Sequence, residues 1–263
     1  MSNIARAFGG SSAANHSKAF IAFITCGDPD LATTASCVRA AVRGGADLIE
    51  LGIPFSDPTA EGPVIQAANE RALRGGVTTD RIFEMVKALR RDVTAPMVFM
   101  TYANVVFSYG IDRFCDQCAG AGIDGMILPD VPYEEKEEFA PACRARGLDF
   151  VSLIAPTSEN RVAMIAREAE GFLYIVSSMG VTGVRSEITT DIGAMVKLVR
   201  ENTSIPCAVG FGISTPAQAR KMADLSDGAI VGSAIVRLIA EHGKEAPEYV
   251  YEYVKSMKEG VGA

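Results

Sequence analysis

Short apolar runs alternate with amphipathic stretches along the whole chain. The runs are AFIAFIT (19–25), DLIELGI (47–53), MVFMTY (97–102), GMILP (125–129), DFVSLIA (149–155), FLYIVS (172–177), PCAVGF (206–211) and GAIVG (228–232). Each is short and β-rich, and each predicts a strand. Between them, TTASCVRAAVRGG, TTDRIFEMVKALRRD, YEEKEEFAPACRARG, NRVAMIAREAE and TDIGAMVKLVREN carry apolar residues at i, i+3 and i+4, the signature of helices with one buried face. Strand then helix, repeated, implies an α/β fold with a parallel sheet. Eight units without a linker or a break in composition favour closure into a single (βα)8 TIM barrel spanning 1–263. Residues 1–18 fall outside its strands, and additional terminal helices include a last one from about Pro247 to Lys258. The alternative is an open doubly wound sheet. Its usual G-x-G-x-x-G turn is missing after the first run, where the chain reads CGDPD. Helix ends repeat one device: in GGAD (44–47), AGAGID (119–124) and RARGLD (144–149) a glycine stops the helix and an aspartate precedes the next strand.

Composition narrows the function classes. At 263 residues and 48% apolar, the chain can build one large core, yet no apolar run approaches the ~18 residues of a membrane span. Residues 1–19 are polar and Gly/Ser-containing and lack a signal-peptide core, so a cytoplasmic location is expected. A net charge of −7 without basic clusters argues against nucleic acid as a partner. Six cysteines scattered through apolar segments suit reduced, buried thiols. Cys115 and Cys118 form a C-x-x-C pair within a helical pattern, and the i, i+3 spacing is what one helix face requires. Tryptophan is absent, a weak hint of an enzyme made when tryptophan is scarce.

Barrel sites form where strands end at the C-terminal face, so polar residues there are the candidates. In DLIELGI the alternation puts Leu48 and Glu50 on one face, with Ile49 and Leu51 on the other, and directs Glu50 into the barrel mouth. A carboxylate in an apolar run loses hydration, its pKa rises, and it becomes a proton donor and acceptor near neutral pH. The loop from Ile53 to Pro63 carries three prolines, Asp57 and Glu61. Glu61 is either a second site carboxylate or a solvated loop residue. Lysines fall in flanking or helical segments, which disfavours a Schiff-base aldolase. With only His16 and His242, a His-ligated metal is not expected, and no metal residue is assigned. Carboxylate acid/base chemistry remains. Glycine-bearing turns after strands six, seven and eight, with a helix opening at Gly232-Ser233, suit a phosphorylated substrate bound by backbone N–H groups.

Phe23-Ile-Thr-Cys-Gly-Asp-Pro29, Glu50-Leu-Gly-Ile-Pro-Phe-Ser-Asp-Pro58, Tyr102-Ala-Asn104, Asp130-Val-Pro132, Gly180-Val-Thr-Gly183, Gly210-Phe-Gly-Ile-Ser214 and Gly232-Ser-Ala-Ile235 together resemble the tryptophan synthase alpha chain family. The matches run in order from about residue 20 to 240. The resemblance implies reversible cleavage of indole-3-glycerol phosphate to indole and glyceraldehyde 3-phosphate, a retro-aldol lyase reaction of tryptophan biosynthesis. It implies that Glu50 is the general acid/base and that Glu61 holds the indole N–H. It places Phe23, Met100, Ile127, Tyr174 and Thr182 against the substrate, and Gly183, Gly212, Gly232 and Ser233 against the phosphate. It also implies a closing lid over roughly 178–190, no cofactor in this chain, and a beta chain partner that carries pyridoxal phosphate in an alpha2beta2 heterotetramer. Contact with that partner would run through Pro54, Asp57, 104–107, Asp130 and Pro132.

Two departures stand out. The family reads Asp-Pro-Leu-Ala-Asp-Gly-Pro where this chain has Asp57-Pro-Thr-Ala-Glu-Gly-Pro63, so the second carboxylate is one methylene longer. The lid reads Ser177-Ser-Met-Gly180 where many members carry Ser-Arg-Ala-Gly. A displacement near ~1 Å at a catalytic group costs on the order of 100-fold in rate. The alternatives are therefore a catalytically impaired subunit that binds and activates a beta chain, or another phosphate-binding barrel enzyme.

Overall fold

The computed structural model describes residues 3–9, 18–176, 191–210 and 212–262. Its strands are β1 (Ala19–Thr25), β2 (Leu48–Gly52), β3 (Met97–Met100), β4 (Gly125–Ile127), β5 in two segments (Asp149–Phe150 and Ser152–Ile154), β6 (Leu173–Val176), β7 (Cys207–Gly210) and β8 (Gly228–Val231). All pairings are parallel. β1 sits between β2 and β8, with Phe23 opposite Glu50 and Ala19 opposite Gly228. The first segment of β5 pairs with β4 and the second with β6; only Val151 separates them, and its N–H donates to Met126 O at 2.9 Å. The sheet thus closes through β5 into the expected barrel.

Strand residues are buried almost throughout, because side chains on one face fill the barrel and those on the other meet the helices. Alternation sorts them cleanly. Ile21, Leu48, Val98, Ile127, Val151, Tyr174, Ala208 and Ile230 form one inner cluster. Phe20, Ile49, Phe99, Met126, Ile154, Ile175, Val209 and Ala229 join the outer cluster under the helices. Those helices are α1 (Leu31–Arg43), α2 (Pro63–Arg74), α3 (Thr79–Leu89), α4 (Ala103–Tyr109), α5 (Ile111–Ala121), α6 (Ala140–Arg144), α7 (Glu159–Arg167), α8 (Ile192–Asn202), α9 (Pro216–Leu225), α10 (Ser233–His242) and α11 (Ala246–Gly262). Among the described residues no helix is long and apolar enough to cross a membrane.

Three local features go beyond the pattern. The segment YEEKEEFAPACRARG forms a 3-10 turn, Tyr133–Glu138, followed by the short α6, since Pro141 lacks an N–H and fits only a first helical turn. The 3-10 turn Ile4–Phe8 joins the barrel's inner cluster, and Phe8 packs 5.7 Å from Phe172 between ring centroids. This turn therefore plugs the lower end of the barrel. The aspartates that precede strands do specific work: Asp47, Asp124 and Asp227 accept the backbone N–H of Phe20, Met97 and Cys207 at 2.7, 2.8 and 2.9 Å. Each satisfies a donor at the start of a neighbouring strand.

Cys115 and Cys118 lie on the buried face of α5, beside Phe114 and Ala121. Cys115 Sγ is 3.8 Å from Cys143 Sγ, a packing contact within the core. Among the described residues no cluster of metal-ligating side chains occurs.

Candidate active site

The C-terminal ends of the strands surround a cavity of about 380 Å3. Phe23, Glu50, Glu61, Met100, Tyr174, Gly212, Gly232 and Ser233 all line it. Ile127 does not; it is fully buried in the inner cluster, opposite Met100 in the strand register. Thr182, Gly183 and the lid segment 178–190 lie outside the described residues.

Glu50 occupies the middle of β2, where alternation turns it inward. It is 1% exposed, and its Oε2 has no hydrogen-bond partner among the described residues. Burial pushes its carboxyl up to about 8, helped by the nearby Glu61 charge. An ordinary buried carboxylate would be paired or hydrogen-bonded. Leaving this oxygen unpaired keeps a proton available at the cavity wall.

Glu61 reaches the same cavity from the loop between β2 and α2. Burial pushes it up to about 7, opposed by hydrogen bonds from Asn69 and Tyr102. Asn69 Nδ2 donates to Glu61 Oε2 at 2.6 Å, and Gln66 Nε2 donates to the Glu61 backbone carbonyl at 2.7 Å. The Tyr102 hydroxyl also accepts the Ala60 N–H at 3.2 Å, and its ring packs 5.3 Å from Phe55 between centroids. The loop is thus held at both ends of its acid. Asp28, in the loop after β1, fixes the last turn of α2 through a bidentate ion pair with Arg71, at 2.8 and 2.7 Å.

The apolar wall depends on two close approaches by glycine. A Cβ on Gly52 would fall 2.6 Å from Phe23 Cζ, and one on Gly232 would fall 3.3 Å from Phe23 Cβ. Both neighbours of β1 must therefore lack a side chain there for the Phe23 ring to lie across the cavity floor. Gly210 does the same for Tyr174, whose hydroxyl lies 2.5 Å from where a Cβ would stand. Gly210→Ala is expected to force the buried ring out of place and cost about 1–3 kcal/mol, the usual range for overpacking. Thermal unfolding of the variant measures this; an unchanged melting temperature would show that Tyr174 has room to move.

Beside Phe23 in the same wall, Ser233 opens the ten-residue helix α10, with Gly232 as its N-cap, and Gly212 at φ +80 also lines the cavity. Free N–H groups and the positive end of the helix dipole suit an anion there.

Reading the strand ends alone missed Asn69, Tyr102 and Lys136. Asn69 left a visible signal, a polar residue on the otherwise apolar buried stripe Ile65, Ala68, Ala72 of α2. Lys136 borders the cavity and is buried, but its ammonium is paired with Glu168 and lies over the Tyr133 ring, which ties it up as a charged group.

Fold and cavity define a (βα)8-barrel enzyme whose cavity is lined by two buried carboxylates and the N-terminus of a helix. A profile of the tryptophan synthase alpha chain matches residues 11–261. The tryptophan synthase alpha chain of Lacticaseibacillus casei is 47% identical over 249 residues, covering 95% of this chain and 93% of that one. Among solved structures, tryptophan synthase from Mycobacterium tuberculosis superposes with a TM-score of 0.90 at 35% identity, covering 100% and 99% of the two chains. A tryptophan synthase complex from Pyrococcus furiosus gives 0.82 at 34% identity, covering 91% and 97%. The chain belongs to the tryptophan synthase alpha chain family.

Proposed function

We propose that this chain cleaves indole-3-glycerol phosphate to indole and glyceraldehyde 3-phosphate, with Glu50 as the general acid/base. The observation that carries the reading is the buried Glu50 carboxyl, whose Oε2 has no partner among the described residues, beside a second buried acid. In this reading Phe23, Met100 and Tyr174 bracket the indole, and the N-terminus of α10 with Gly212, Gly232 and Ser233 receives the phosphate. Glu61, ionised, accepts the indole N–H and stabilises the positive charge that develops on the ring as Glu50 delivers its proton to the ring carbon. Glu50, now ionised, takes the proton of the side-chain hydroxyl next to the breaking carbon–carbon bond. The aldehyde leaves, the ring regains aromaticity, and Glu50 ends protonated as it began.

The working state thus has Glu61 ionised and Glu50 protonated. Lyase rate is expected to follow a bell, rising near pH 7 as Glu61 ionises and falling near pH 8 as Glu50 loses its proton. The two acids interact, so both limbs belong to the pair. Release of indole from indole-3-glycerol phosphate, followed from pH 6 to 9, tests the proposal; a flat profile would remove the acid/base assignment.

The same reading gives the chain a beta chain partner that holds pyridoxal phosphate, in an alpha2beta2 assembly in the cytoplasm. The similarity to the P. furiosus tryptophan synthase complex supports it. So does the half-exposed Phe107, with Asn104 exposed on the same helix, α4, and Asp57, Asp130 and Pro132 exposed on neighbouring loops.

A further inference from the structure

We propose that Asn69 is a positioning residue, which turns a loop-borne acid into a helix-borne one by anchoring the Glu61 carboxylate to α2. The proposal rests on the reading of Glu61 as the acid that holds the ring N–H. Glu61 lies on an irregular loop between Gly52 and Pro63, and an acid on a loop is less precisely placed than one on a helix. The rest of the anchor is rigid. Asn69 sits two turns into α2, 3% exposed, between Ile65 and Ala72, where its amide is costly unless bonded. Its amide donates to Glu61 Oε2 at 2.6 Å, while Gln66, one turn earlier, holds the backbone of the same residue. The Asp28–Arg71 pair ties the next turn of α2 to the end of β1. A single helix, fixed at the barrel mouth, thus grips the side chain and the main chain of Glu61 together.

The anchor also acts on charge. Asn69 donates to the ionised form of Glu61 and favours it against burial, and the neighbouring Glu50, which ionises at higher pH, is still uncharged as Glu61 ionises. The other group facing Glu61 is the Tyr102 hydroxyl, which donates to it from the end of β3 and itself feels Asp130. Arg71, on the same helix, is committed to Asp28.

Indole release by Asn69→Ala, measured from pH 6 to 8 with circular dichroism to confirm the fold, tests this. Loss of the donor raises the pH at which Glu61 ionises. A shift of about one unit predicts roughly a tenfold loss at pH 6 that narrows to about twofold at pH 8. A loss of the same factor at every pH, or none, would overturn the positioning role. Asn69→Ser, whose hydroxyl is too short to reach Glu61, reads the same way should the alanine variant fail to fold. Glu61→Gln, assayed in parallel, separates the two claims. If it retains the full rate, the assignment of Glu61 is wrong; if it is slow while Asn69→Ala loses a constant factor, only the anchor is wrong.

Discussion

Glu50→Gln is expected to slow indole release by about 10^2- to 10^4-fold, the usual contribution of a positioned general acid/base. The amide nearly matches the acid in shape but can neither give up a proton to the ring carbon nor take one from the hydroxyl. Affinity for an unreactive analogue, indole propanol phosphate, should change little, because the bound ligand meets the same walls. The loss therefore falls in the rate at saturation rather than in binding. Folding should not suffer, and the sign of linkage predicts a gain. Glu50 rises from 4.5 in the unfolded chain to about 8 in the folded one. The folded state binds its proton more tightly, so this contribution is intact below pH 4.5 and is lost as pH climbs to 8, by about 1.4 kcal/mol per unit. Glutamine does not titrate. Chemical denaturation at pH 9 should find the variant more stable than the parent, and at pH 4.5 the difference should vanish. A variant that keeps the parental rate would end the assignment of Glu50 as the acid/base.

The barrel was legible because each parallel strand, buried on both faces, writes an apolar run. AFIAFIT coincides with β1, and the other runs overlap their strands with differences of one or two residues at most ends. Glu50 was legible for the same reason: alternation over five residues fixes its face. Loops carry no such period. Nothing in Pro-Thr-Ala-Glu-Gly-Pro says that Glu61 turns back into the cavity. That outcome comes from Asn69 and Tyr102, one on α2 and the other past β3, and such long-range hydrogen bonds leave no local trace. Ile4, Ala7 and Phe8 form too short a run to announce a plug, since burial comes only when the barrel exists to receive them. The extra methylene at Glu61 also looks different in three dimensions. Its carboxylate is held by two donors within the cavity, so length alone is no argument for an impaired site.

The second large effect belongs to the opposite end of the barrel, where stability rather than chemistry is at stake. Arg90, just past α3, donates Nε to the Gly122 carbonyl at 2.7 Å, Nη1 to the Ala95 carbonyl at 2.6 Å, and Nη2 to Asp124. Asp124 in turn accepts Asn3 Nδ2 and the Met97 N–H, both at 2.8 Å, so one buried pair joins the N-terminal plug, the start of β3 and the turn before β4. Side-chain exposure is 20% for Arg90 and 8% for Asp124, which limits screening by solvent. Arg90→Ala strands a buried carboxylate and two carbonyls, and should cost about 3–5 kcal/mol. Arg90→Lys should recover only part of this, since a point charge cannot serve three acceptors set for a planar fork. By contrast Arg74→Ala, which breaks an exposed pair with Glu70, should cost under about 1 kcal/mol. Urea unfolding at neutral pH measures all three, and a loss below about 1 kcal/mol for Arg90→Ala would show that the plug and the strand starts hold together without it. The rate of indole release by the folded fraction should stay at the parental value, because the cavity lies at the other end of the strands.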